Sequence, residues 1–119
     1  MCTYLCLRKY CNMKTDNLNS FIKGWVVGNF VPSIVKTEQF ELGLKKYESG
    51  IVEKKHYHKI AKEITIAISG KFEMNGKILE EGDILVLDPG EPAEFRCLES
   101  GYTAVLKIPS VKNDKYILD

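Results

Sequence analysis

Short runs of alternating apolar and polar residues, each closed by a turn signal, fill the chain from Phe21 onward. Phe40, Leu42 and Leu44 alternate with Glu41, Gly43 and Lys45. Ile64, Ile66 and Ile68 alternate with Glu63, Thr65, Ala67 and Ser69. A period of two places alternate side chains on opposite faces, which is the signature of a half-buried β-strand. Asn75-Gly76 separates Phe72-Glu73-Met74 from Lys77-Ile78-Leu79. Both turn residues tolerate positive φ, so this pair predicts a tight hairpin. Further runs at Trp25-Val26-Val27, 84–87, 93–98 and 102–108 are broken by glycine, proline and serine. No stretch carries a helical period over three turns. Strands this short and this evenly spaced predict an all-β sandwich or barrel.

Composition narrows the functional classes. Seventeen basic and sixteen acidic residues in 119 leave a net charge of +1, so no global footprint for a nucleic-acid polymer is visible. No apolar run approaches the roughly 18–20 residues of a membrane span, which predicts no membrane partner. The apolar run Tyr4–Leu7 is too short for a secretory signal, and the default expectation is a cytoplasmic protein. Cys2, Cys6, Cys11 and Cys97 form neither a zinc-finger spacing nor a spread disulfide framework. Residues 1–20 lack a period and read as an N-terminal tail or arm, with Met13 a candidate alternative start. Residues 21–119 read as the folded unit.

Charge is placed unevenly. Residues 45–62 carry six lysines against two glutamates, and residues 73–95 carry seven acids against one lysine. These are either solvated surfaces paired across strands or a basic rim that attracts an anionic ligand. Phosphate loops, a nucleophile-elbow serine and aromatic residues interleaved with arginine are all missing from the sequence.

The only two histidines, His56 and His58, stand two residues apart. On a strand they share a face and can converge on one ion. If Lys59-Ile60-Ala61-Lys62 form a turn, Glu63 enters the neighbouring strand beside them. Two histidines and a carboxylate with open positions make the facial set that suits Fe(II) and related divalent metals.

The wider spacing resembles a known family. Gly50, His56, His58, Glu63 and Gly70 fall at the defining positions of the first sequence motif of the cupin superfamily. Gly82-Asp83-Ile84-Leu85-Val86-Leu87-Asp88-Pro89-Gly90-Glu91-Pro92 is similar to the second. Ala93 stands where cupins usually place the last metal-binding histidine. The likeness covers Phe40 to Ile108 and implies a single-domain jelly-roll β-barrel. It also implies a reduced ligand set of His56, His58 and Glu63 for iron, manganese, nickel or zinc, with no organic cofactor. Glu94 points away if Ala93 faces inward, and Glu91 lies in the turn.

By parity, Phe95 and Cys97 face inward with Ala93. The opposite strand contributes Phe40, Leu42 and Leu44, or else Gln39, Glu41 and Gly43. Tyr47 and Tyr102 are candidates for the pocket mouth, and Arg96 for holding a carboxylate or phosphate. An inward Glu63 turns Ile64, Ile66 and Ile68 outward. They then need cover from an N-terminal arm (Phe21, Trp25, Val26, Val27) or from a second copy, which predicts a homodimer. The first functional reading is a small-molecule-binding cupin holding a divalent metal. The second is a metal-free protein that binds or sequesters an anionic metabolite such as a nucleotide or nucleotide sugar. The third is a metal-independent sugar isomerase or epimerase with His56 or His58 as base.

Overall fold

The computed structural model describes residues 13–119. Cys2, Cys6, Cys11, Arg8 and most of the predicted tail lie outside them. A short 3-10 turn at Leu18–Ser20 precedes eleven strands. These are β1 (Trp25–Gly28), β2 (Val35–Lys36), β3 (Glu41–Tyr47), β4 (Val52–Tyr57), β5 (Lys62–Ala67) and β6 (Lys71–Met74), followed by β7 (Lys77–Leu79), β8 (Ile84–Leu87), β9 (Ala93–Glu99), β10 (Gly101–Ile108) and β11 (Tyr116–Ile117). Among the described residues no helix is long and apolar enough to cross a membrane.

The strands form a six-stranded sheet, ordered β2-β1-β3-β10-β5-β8, and a five-stranded sheet, ordered β11-β4-β9-β6-β7. Backbone pairing runs within each sheet and does not close them into one barrel. Their union is made by side chains. Ala67 and Leu87 from the first sheet meet Phe72, Met74, Leu79, Ala93, Phe95 and Cys97 from the second in one buried cluster. Phe72 stacks on Phe95 at 5.5 Å, and Tyr47 closes against Phe95 at 4.6 Å. Burying such side chains contributes roughly 1.5–3 kcal/mol each. Cys97 is buried among them, as its apolar surroundings predict. The Asn75-Gly76 hairpin forms as expected, with φ of 52° and 75°.

Parity decides what enters the interior. Glu63, Thr65 and Ala67 are buried, while Ile64 and Ile66 are partly exposed and Ile68 is exposed. On β3 the inward set is the second of the two alternatives, with Glu41 and Gly43 facing in and Leu42 on the outer face. The N-terminal arm does not cover the isoleucines. Strand β1 joins the sheet beside β3, separated from β5 by β3 and β10. The Trp25 ring turns inward and lies over Gly43, where an added Cβ would come within 2.7 Å of the indole. Glycine at this position is what lets the ring approach the backbone.

A candidate metal centre between the sheets

Strand β4 brings in the histidines by an irregularity. It pairs with β9 at Glu53↔Phe95 and again at His56↔Ala93, so three steps on β4 match two on β9. The extra residue is a β-bulge, with Lys54 and Lys55 both exposed. Without it, Glu53 and His56 would face opposite sides. With it, both face the interior, and His58 follows His56 on the same side.

Glu63 arrives from the other sheet. The sequence placed it on a neighbouring strand, but β4 and β5 belong to different sheets, so the carboxylate faces the imidazoles across the interior. The intervening turn is shaped by Asp114, which is buried. Its carboxylate accepts from the backbone N–H groups of Lys59 (2.9 Å), Ile60 (3.2 Å) and Ala61 (2.9 Å). Three donors that would otherwise lack partners are thereby satisfied.

The hydrogen bonds also fix the imidazole tautomers. His56 Nδ1 lies 2.9 Å from the Lys54 carbonyl, and His58 Nδ1 lies 2.7 Å from the Asp114 carbonyl. A carbonyl only accepts, so each Nδ1 carries a proton and each Nε2 is the nitrogen left for another partner. His58 Nε2 is buried and has no hydrogen-bond partner. It stands 3.3 Å from Glu63 Oε1, close but not aligned as a hydrogen bond. Burial pushes the Glu63 carboxyl up, but His58, Lys107 and His56 outweigh it and hold the group below its ordinary value. Burial lowers His56 against the opposing pull of its Lys54 contact, favouring the neutral ring. His58 Nε2 and the Glu63 carboxylate thus face each other in the interior, where a shared proton or a metal cation can bridge them.

Ligand atoms of His56, His58 and Glu63 lie within 4.8 Å of one another. With metal–ligand bonds of about 2.0–2.2 Å, small side-chain rotations bring all three onto one ion. The residues fit a divalent metal. Each histidine also has the backbone acceptor that orients a metal-binding imidazole. Ala93, the cross-strand partner of His56, leaves the fourth corner open.

A cavity of about 290 Å³ adjoins His56 and Glu63. Its lining includes the apolar Trp25, Met74, Phe95 and Val105 and the polar Lys45, Lys107 and Thr103. Phe95 and Tyr47 both line it. Tyr47 donates to Glu53 Oε2 at 2.8 Å, and burial followed by Glu53 pushes its hydroxyl far up, so it remains protonated. Tyr102 does not line this cavity but an adjoining groove, with Phe21 and Leu44, which shares Lys45, Tyr47 and Glu53 with it. Arg96 alternates with Phe95 and Cys97, faces outward and pairs with Glu73. The sequence reading did not single out Trp25, Thr103, Lys107 or Asp114. A lysine at the inward parity of an apolar strand was the available signal for Lys107. Asp114 had none.

The basic and acidic stretches meet on the surface. Lys55 pairs with Glu94 at 2.9 Å and Lys62 with Asp88 at 3.4 Å, so these lysines neutralise acids across strands.

No family model matches the chain, and no curated protein matches it in sequence. Solved structures do. An uncharacterized protein with a double-stranded β-helix domain from Klebsiella pneumoniae is similar over 93% of this chain and 96% of its own, at 17% identity and a TM-score of 0.67. KdgF from Halomonas sp. is 23% identical over 65% of this chain and 76% of its own, with a TM-score of 0.60. Oxalate decarboxylase from Bacillus subtilis is 19% identical, with a TM-score of 0.59, and the match spans 68% of this chain but 24% of that one. An RmlC-like cupin from Shewanella frigidimarina also matches, at a TM-score of 0.59. The chain has the double-stranded β-helix fold of the cupins.

Proposed function

We propose that this chain is a small-molecule-binding cupin that holds one divalent metal ion through His56, His58 and Glu63. The observation that carries this reading is His58 Nε2, buried without a hydrogen-bond partner 3.3 Å from the Glu63 carboxylate. A proton or a cation must occupy that gap, and two imidazole nitrogens with a carboxylate select a borderline divalent ion. Manganese is chemically compatible, and the oxalate decarboxylase of Bacillus subtilis, a fold neighbour, has Mn(II) centres. When bound, the metal supplies Lewis acidity and open positions for a ligand. The chain supplies the rest. Backbone carbonyls of Lys54 and Asp114 hold the imidazoles in register, and Thr65 donates to Glu63 Oε2 at 3.2 Å.

Elemental analysis of the purified protein beside a His56→Ala/His58→Ala variant tests this reading. Near-stoichiometric iron, manganese, nickel or zinc in the wild type, absent from the variant, is the expected result. No metal in either protein after incubation with divalent ions overturns it. The same reading includes a homodimer, in which a second copy covers the apolar outer face of the six-stranded sheet.

A further inference from the structure

The cavity beside the metal donors holds more positive charge than those donors require. Lys23, Lys45, Lys107 and Lys115 line it, against Glu41, Glu53 and Glu63. The three carboxylates are already engaged. Glu53 accepts from Tyr47, Glu41 accepts from Ser110 at 2.8 Å and lies 3.8 Å from Lys107, and Glu63 faces His58. Lys45 has no carboxylate within 4.0 Å among the described residues. Its Nζ and that of Lys107 each lie 4.9 Å from the Trp25 ring centroid, so the two ammonium groups converge on one indole. A divalent ion at the histidines adds two more positive charges to the same space. An ammonium drawn out of water without a counter-ion is costly, and an arriving anion relieves that cost.

A second observation points to the same ligand. Thr103 is 1% exposed, and its hydroxyl has no hydrogen-bond partner. It lines this cavity and is the cross-strand partner of Lys45. A buried hydroxyl left unpaired is costly, and an oxygen atom brought to it relieves that cost.

We infer that the cavity binds a small organic acid, its carboxylate held by Lys45, Lys107 and the Thr103 hydroxyl and its carbon skeleton against Trp25, Met74 and Phe95. The apolar wall distinguishes such an acid from inorganic phosphate, which would leave those side chains against water. A space of about 290 Å³ accommodates an acid of this size. The inference rests on the metal reading only in sharing its cavity, because the lysines and Thr103 act on the acid with or without the ion.

Calorimetric titration tests it. Malonate, succinate and lactate, each beside its neutral amide, are titrated into metal-stripped and manganese-loaded protein, and manganese alone is titrated separately. The expected result is binding of at least one acid but not its amide. Lys45→Gln and Lys107→Gln weaken that binding at least tenfold. Lys46→Gln, an exposed lysine one residue along, leaves it unchanged. Circular dichroism confirms that each variant is folded. Equal affinity in Lys45→Gln, Lys107→Gln and Lys46→Gln overturns the inference, as does failure of every acid to bind either form. If manganese does not bind but an acid binds through Lys45, the inference stands and the metal reading falls. If manganese binds and no acid does, the reverse holds.

Discussion

Lys45 carries its charge where water is scarce. Burial lowers its pKa from 10.5 to about 8, Glu53 opposes this, and Lys107, Lys23 and Lys115 add to the lowering. Between those values the unfolded chain holds a proton that the folded chain has released. Stability therefore rises with pH across the window from about 8 to 10.5, and the full penalty applies below it. Lys45→Met should be more stable than the wild type at pH 7 and should flatten the rise. Urea unfolding at intervals through the window checks this, and equal slopes in both proteins would place Lys45 in water. Asp114 acts in the opposite sense. Its carboxylate satisfies the backbone N–H groups of Lys59, Ile60 and Ala61, and its carbonyl fixes His58. Hydrogen bonds to a charged group contribute about 1.5–3 kcal/mol each, and neighbouring ones are not additive, so Asp114→Ala should cost about 3 kcal/mol. Metal affinity should fall about tenfold as the turn before Glu63 loosens. Denaturation and manganese titration of the variant measure the two effects separately.

At the scale of the element, the bulge in β4 aims the site. Deleting Lys55 leaves two steps on each strand, so regular alternation with β9 still turns both Glu53 and His56 inward, but it displaces the Lys54 carbonyl that orients the His56 ring. The deletion variant should keep its β circular dichroism and bind metal about tenfold more weakly, through loss of the Lys54 carbonyl contact. Binding equal to that of the wild type would mean that another acceptor orients the ring. This element also shows where sequence is readable and where it is not. The alternation of β5 and β9 can be read residue by residue, but which face turns inward follows from the motif, because apolar patterning alone would bury Ile64, Ile66 and Ile68 and expose Glu63. The His56, His58 and Glu63 grouping follows from the motif. Nothing in Lys54-Lys55 announces a bulge, because both side chains are solvent-exposed and either residue could be the extra one. The Asp114 contacts span more than fifty residues and are tertiary. The inward turn of Trp25 depends on Gly43 in another strand. Arg96, chosen for its chemistry, was placed outside by the same alternation that put Phe95 inside.

At the scale of the whole molecule, the outer face of the six-stranded sheet is apolar from edge to edge. Cross-strand partners set Val35, Val27, Leu42, Leu106, Ile64 and Val86 in one row. Leu44, Ala104, Ile66 and Ile84 form a second. Ile84 is 60% exposed and Val86 51%. A surface of this kind marks an interaction site. Sedimentation at micromolar concentration should give a dimer, and Ile66→Lys should give a folded monomer. A monomeric wild type would remove the second copy from the proposal.

The chain has one tryptophan, and it hangs over the cavity between two ammonium groups. Its fluorescence therefore comes from the one place where ligand, metal and charge would meet. The molecule contains its own optical reporter, one that needs no dye and no known reaction, and whose emission responds to whatever enters beside Lys45 and Lys107.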